Sequence, residues 1–384
     1  MSTADKYSTA DKYCTADKYV VPVEMCTWDI GAAGAARFSW EYGDGRDRLL
    51  ALYQKGKDKQ WDAMQRIDWQ LDVDPDDPLG MPLQSNPLVG SRTWERLEDD
   101  PRALGELRRH QVAWQFSQFM HGEQGAMICS ARIVESVPDL DAKFYACTQT
   151  MDEARHAETY ARFLHEKVGL VYPINPYLKS LLDDTLGDSR WDMPYLGMQV
   201  LIEGLALAAF GVLRDMTTAA LPKQILSYVM QDEARHVAFG RIALRDYYAQ
   251  LTAAELAERE EFVVEGCHLM RDRFRGQEIW ERLGFDQADC EQTVMNSPFM
   301  HAYQALLFSR IVPCVKDIGL WGPRVQQAYA DMGVLDMAGL DLDALMKADE
   351  DLAEQADAQK RELVARRAEV SEVIAIGSAD APAP

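Results

Sequence analysis

Asp152-Glu153-Ala154-Arg155-His156 recurs without a change as Asp232-Glu233-Ala234-Arg235-His236, and the reading of this doubled pentapeptide decides the fold. Each copy lies in a stretch with helical periodicity, so Glu and His at i and i+3 fall on one helix face. Such a face can hold a metal ion. Thirty residues before each copy an apolar helical run carries a lone carboxylate. These are Glu123 in Phe119-Met120-His121-Gly122-Glu123 and Glu203 in Leu201-Ile202-Glu203-Gly204-Leu205. The whole set repeats 80 residues later with no slip in its internal spacing.

A lone Glu-x-x-His is weak evidence, because helical surfaces carry it by chance. Two equal sets are a different matter. Four carboxylates and two imidazoles are what a four-helix bundle offers two oxygen-loving metal ions when one Glu comes from each of two helices and a Glu-x-x-His from each of the others. The expected fold is therefore all-α, a ferritin-like four-helix bundle with a long crossover between bundle helices 2 and 3 and additional N- and C-terminal helices. Glu203 stands among Leu, Ile, Ala and Phe, where an unpaired carboxylate would be costly. A metal removes that cost.

The chain has 384 residues, 47% of them hydrophobic, and a formal charge of −22. The acidic balance argues against a general nucleic-acid surface and suits a basic partner or simple solubility. Seven cysteines form no C-x-x-C pair and read as reduced thiols of a cytoplasmic protein. No secretory signal opens the chain. The apolar run Leu196 to Leu213 contains Gln199 and Glu203, so it reads as a buried bundle helix, and no membrane contact is expected.

Thr-Ala-Asp-Lys-Tyr occurs three times at the start, at Thr3, Thr9 and Thr15, with little to bury. Residues 1–45 are read as a disordered or irregular arm, 46–375 as one enlarged domain with its core bundle at about 104–251, and 376–384 as a flexible tail. Pro75, Pro78, Pro82 and Pro87 force an extended connection after a first helical stretch. In that stretch Trp61 and Trp69 are expected to pack on the bundle. The bundle helices are expected over Leu104 to Ser136, Asp139 to Lys167, Asp192 to Thr218 with Asp192 as cap, and Pro222 to Leu251. A short helical fragment, Leu178 to Leu182, is expected in the crossover. Further helices are expected at Ala253 to Arg275, Met300 to Ile318 and Leu342 to Val373.

The paired Asp-Glu-x-Arg-His copies with their upstream glutamates resemble the hydroxylase subunits of bacterial multicomponent monooxygenases and, more distantly, the ribonucleotide reductase small subunit. The likeness covers roughly Leu104 to Leu251. It implies Glu123 and Glu203 as terminal ligands, Glu153 and Glu233 as bridges, and His156 and His236 as one nitrogen ligand to each metal. Asp152, Arg155, Asp232 and Arg235 would orient the imidazoles. Mixed carboxylate and imidazole donors suit two iron ions better than zinc, and manganese or a mixed Mn/Fe pair fits the same donors. Tyr160, one turn after His156, stands where the reductase subunit carries its radical tyrosine, which makes it a candidate catalytic residue.

Two departures shape the functional expectation. Leu207 stands where the monooxygenases place Thr, and Val229 where arylamine N-oxygenases of this superfamily add a His. Hydroxylation of a small apolar organic substrate with O₂ is thus placed first. Desaturation, oxidative cleavage and N-oxygenation follow, then radical generation and, last, iron storage. No Gly-rich dinucleotide motif follows a strand and no cysteine set suits an iron–sulfur cluster, so electrons are expected from a reductase or ferredoxin. A homodimer is the expected assembly.

Overall fold

Asp100 opens the first long helix. Its carboxylate accepts from the Arg102 and Ala103 amides, and Pro101 takes the first turn, where its missing N–H costs nothing. The computed structural model describes residues 36–38, 42, 46–355, 357–358 and 361–362. The repeats over 1–19, most of the arm to 45, the end of the acidic segment and the tail over 376–384 lie outside the described residues.

Four short elements precede the bundle: α1 (Asp47–Asp58), α2 (Ala63–Arg66), a 3₁₀ turn (Leu83–Ser85) and α3 (Arg92–Leu97). The bundle consists of α4 (Pro101–Ser136), α5 (Leu140–Phe163), α7 (Glu203–Met216) and α8 (Ala220–Tyr248), with α6 (Pro176–Gly187) in the crossover. Three residues join α4 to α5, so the two run antiparallel and pack along their length. α7 and α8 form the other pair, and α5 meets α8 across the centre. After the bundle come α9 (Ala253–Asp272), α10 (Gln277–Leu283), α11 (Gln287–Asn296), α12 (Pro298–Leu307), α13 (Ile311–Asp317) and α14 (Pro323–Asp331). A last helix spans 342–355. One continuous apolar core runs from Leu49 to Leu342.

The lead-in is fastened at two places. α1 lies on α5 and α8, and the Pro-rich stretch is tied to the α7–α8 turn, where the Thr217 hydroxyl donates to the Leu79 carbonyl at 2.6 Å. The only helix among the described residues apolar and long enough to cross a membrane, Tyr195–Met216, is a bundle element with 83% of its apolar window buried.

Helix geometry departs from the regular expectation just before Glu203. Tyr195–Ile202 is π-helical, and a second π turn, Leu164–Val168, ends α5 at Gly169, whose φ of +71° only glycine adopts without strain. Each wide turn rotates the residues that follow it relative to a regular helix. With its amide oriented to donate, Gln199 reaches the carbonyls of Pro194 and Tyr195, 3.2 Å each, which supports the wide turn from inside. Gly240 makes room for Gln199, since a Cβ there would stand 2.6 Å from the Gln199 Cβ.

Three expectations need correction. Asp192 does not cap its helix with its side chain. Pro194 removes an amide from the first turn, and the buried carboxylate is taken instead by Arg259 at 3.0 and 3.2 Å. The stretch Met300 to Ile318 is two helices, because Pro313 cannot donate to Ser309 and its ring would clash with that carbonyl. The crossover fragment is longer than expected, Pro176–Gly187, because Asn175 caps it through the amides of Tyr177 and Leu178.

Replacing an ordinary helix Gly by Ala stabilises by about 1 kcal/mol. At Gly240 the sign is expected to reverse, because the obstructing atom is a Cβ that cannot swing away. Gly240→Ala should cost about 1–3 kcal/mol, the usual price of overpacking, in a urea titration. A variant as stable as the parent would show that Gln199 does not need this space.

Candidate metal centre

The repeat places its two halves on α5 and α8, which face each other across the bundle. His156 and His236 are fully buried, with ring centroids 6.0 Å apart. Each turns Nδ1 inward. Glu153 spans the pair, its two oxygens lying 3.4 Å from His156 Nδ1 and 3.0 Å from His236 Nδ1. Glu233 does the same at 3.0 and 3.5 Å. Glu123 approaches only His156, at 3.4 Å. Glu203 belongs to the other side, in a group with Glu153 and His236 whose ligand atoms lie within 4.8 Å of one another. A second such group is Glu123, Glu153, His156 and Glu233. Two carboxylates are thus common to both imidazoles and one is peculiar to each.

The polar atoms of this cluster are not satisfied by the protein. Glu153 Oε2, Glu203 Oε2, both Glu233 oxygens and both Nδ1 atoms are buried without a hydrogen-bond partner. Buried polar groups are seldom left so, and six converging on one volume call for a ligand. Burial, reinforced by Glu233, holds the Glu123 carboxyl well above its usual range, and burial with Glu153 does so for Glu203. Burial would push Glu153 up as well, but His236 and His156 pull it below the usual range. Two divalent cations would neutralise four carboxylates while leaving the imidazoles neutral and both Nδ1 lone pairs free to bind. The donor set therefore fits a carboxylate–histidine di-metal site.

Behind the imidazoles lies a crossed arrangement. Asp152 and Asp232 each sit one turn before a His on their own helix, within helical reach of it. Instead Asp232 contacts His156 Nε2 at 3.0 Å and Asp152 contacts His236 Nε2 at 3.2 Å. The reason is directional. A ring that points Nδ1 into the centre points Nε2 at the opposite helix, where the other aspartate stands. Arg155 bonds both aspartates, and Arg235 bonds Asp232 and lies 3.5 Å from Asp152. Two arginines and two aspartates cancel in charge beneath the site.

Sequence reasoning missed four contributors. Trp61, expected only to pack, donates Nε1 to Asp232 at 2.7 Å, and the Arg155 guanidinium lies 4.6 Å from its ring centroid. The adjacent Gln60 donates to Asp152 at 2.7 Å and accepts from Arg155. No local signal links these lead-in residues to helices more than 90 positions away. Gln149 was discoverable, because it lies one turn before Glu153 on the same buried face. Its amide donates to Glu153 at 2.9 Å and Glu203 at 2.8 Å. Arg273 is the fourth and lines a cavity over the centre.

Tyr160 is fully buried against Phe116, Phe119 and Phe210, and its hydroxyl has no partner among the described residues. The remaining histidines of the bundle stay outside the centre: His121 meets the Tyr172 carbonyl at 2.9 Å and His110 the Tyr172 hydroxyl.

The profile of the p-aminobenzoate N-oxygenase AurF family matches residues 44–319. No curated protein matches the chain. Solved structures that resemble it include a variant of an R2-like ligand-binding oxidase with an anaerobically reconstituted Mn/Fe cofactor, 15% identical, covering 71% of this chain and 94% of that one with a TM-score of 0.42. Another is the R2-like ligand-binding oxidase with an aerobically reconstituted Mn/Fe cofactor, 15% identical, covering 84% and 93% with a TM-score of 0.36.

Removing a carboxylate shared by both imidazoles should lower metal content most. Glu153→Ala and Glu233→Ala are expected to bind fewer than two metal ions per chain by elemental analysis. Asp232→Asn and Asp152→Asn are expected to keep the helical circular-dichroism signal and weaken metal binding by about 10- to 100-fold. Parent-like affinity in both Asn variants would refute the orienting role of the crossed aspartates.

Proposed function

Because the chain belongs to the family of the p-aminobenzoate N-oxygenase AurF, we propose that it uses O₂ at a di-iron centre to oxidise the amino group of an aromatic amine. The family match across most of the chain carries this reading. It reverses the order suggested by Val229, which placed hydroxylation ahead of amine oxidation. Val229 is fully buried one turn before Glu233 and supplies no nitrogen. The proposed ligand set is therefore six side chains: Glu123, Glu153, His156, Glu203, Glu233 and His236.

Held by these six side chains, two ferrous ions would supply the electrons that activate O₂. The chain's own residues do the rest. Glu153 and Glu233, each reaching toward both imidazoles, would hold the two ions at a fixed separation. Gln149 anchors Glu153 and Glu203 through its two hydrogen bonds. The cavity over the centre is walled by Leu178, Met198, Ile202, Leu205 and Phe210, and its floor includes Glu123, Glu203 and Glu233. Apolar walls exclude water and leave the amine to be placed by shape.

Converting an arylamine to its hydroxylamine puts one oxygen atom on nitrogen and releases the other as water. It consumes two electrons and two protons beyond the substrate. An external reductase or ferredoxin is therefore part of the proposal, and a surface with net charge −22 favours a basic one. The same reading includes a homodimer in the cytoplasm. Five described cysteines are all free, which suits a reducing compartment.

A second reading, radical generation, rests on Tyr160 alone. Its hydroxyl is unpartnered, and after burial the nearby Glu123 is the strongest influence keeping it protonated. A tyrosyl radical signal after O₂ exposure that disappears in Tyr160→Phe would favour this reading.

The iron-loaded protein is expected to convert an arylamine such as p-aminobenzoate to its N-oxygenated product. At most one turnover should occur with ferrous iron and O₂ alone, and many once a reductant is supplied. Product analysis by mass spectrometry decides. Ring hydroxylation without N-oxygenation, or sustained turnover with no electron source, would overturn the proposal.

A further inference from the structure

Gln149 is fully buried on α5, one turn before Glu153. Its side-chain nitrogen donates to Glu153 Oε1 at 2.9 Å and to Glu203 Oε1 at 2.8 Å. An amide nitrogen carries two hydrogens, so each carboxylate receives one. Ionised carboxylates only accept, which fixes the amide with its nitrogen toward them. The second oxygens, Glu153 Oε2 and Glu203 Oε2, stay buried without a hydrogen-bond partner and are left available to a metal.

The 80-residue repeat puts Val229 in the equivalent place on α8. Val229 is equally buried, and its side chain donates nothing. By the same repeat its carboxylates are Glu233 and Glu123, the counterparts of Glu153 and Glu203. Both Glu233 oxygens are without a hydrogen-bond partner, and Glu123 approaches His156 alone. The backbone differs as well, since Glu203 follows directly on the π-helical run Tyr195–Ile202 whereas Glu123 lies within the regular helix α4. The centre thus has one restrained half and one unrestrained half. The restrained half is that of His236, because Glu153 Oε1 lies 3.0 Å from His236 Nδ1 and Glu203 groups with the same imidazole.

A hydrogen bond has two opposed effects on a ligating carboxylate. It draws electron density from the oxygen, which weakens the attraction for a cation. It also holds the group in place before the ion arrives, so less freedom is lost on binding. Removing an outer partner of a metal ligand typically lowers metal affinity by about 10- to 100-fold, so orientation is the larger effect. We infer that Gln149 is a positioning residue that makes the two metal positions unequal. It pre-organises Glu153 and Glu203, so the position beside His236 fills first and holds its ion more tightly than the position beside His156. Adjustments in coordination are then left to the His156 side, where no amide holds Glu123. The inference rests on the six-ligand reading of the centre and is independent of the organic substrate.

The test is anaerobic titration of the full chain with manganese(II), followed by electron paramagnetic resonance, in the parent, Gln149→Leu and Gln149→Met. An isolated Mn(II) ion and a coupled pair give different spectra, so the two steps are counted separately. The parent should take up its first ion before the coupled signal grows, and anomalous scattering from crystals loaded with one equivalent should place that ion beside His236. In both variants the His236 position is expected to weaken by about 10- to 100-fold while the His156 position changes little, which brings the two steps together. Equal weakening of both positions would mark a general packing defect and overturn the inference, as would a first ion beside His156 in the parent. Two ions bound alike by the parent and the variants would overturn this assignment and leave the six-ligand reading standing. A parent that binds fewer than two ions would overturn that reading itself.

Discussion

Four glutamates sit within an apolar bundle, and the rest of the structure answers to that fact. Moving carboxylates out of water costs several kcal/mol each unless charge and hydrogen bonds are restored. Here the protein restores them only in part. Gln149 satisfies one oxygen each of Glu153 and Glu203, while both oxygens of Glu233 and both Nδ1 atoms remain without partners. What is left over matches the negative charge and donor atoms that two divalent ions require. The helices are then held to positions that serve the metals as much as the packing.

The repeat is symmetric where it meets the metals and asymmetric around them. Gln149 and Val229 occupy equivalent places in the two halves, as do Tyr160 and Gly240. On one side Phe119, Tyr160 and Phe210 fill the space with aromatic rings. On the other, Gln199 lies over Gly240 and supports the π-helical run that leads into Glu203. A near-twofold scaffold thus gives the two metal positions different neighbours. Val229 also marks a departure from the additional His of related N-oxygenases, so under the proposed function amine oxidation would rest on the six proposed ligands and on how the amine is presented. That gives weight to the walls of the cavity.

The crossed aspartates show how a bundle enforces such a site. Each imidazole is set by a carboxylate from the opposite helix, so neither half can hold its His correctly without the other. Gln60 and Trp61, neighbours in the lead-in, each donate to one of the two aspartates. The segment before the bundle therefore belongs to the support of the centre, and docking α1 on α5 and α8 is what brings it there.

The sequence by itself determined the all-α bundle and the six side chains that converge on its centre. Helical periodicity fixes which residues share a face, and an exact 80-residue repeat made that face visible twice. Prolines also came close to bounding the bundle helices, Pro222 standing two residues inside the start of α8, whereas the cap of α4, Asp100, was not read from the sequence. Other features depend on contacts between distant segments, which no local period encodes. Asp232 serves His156 because of the direction of a ring nitrogen across an interhelical gap. Asp192 pairs with Arg259, and Trp61 reaches Asp232, through docking of elements far apart in the chain. Arg273 carries no periodic signal at all. Only the tertiary structure decided that it is buried, unpaired and lining the cavity over the metals, because a charge acquires that meaning from what surrounds it.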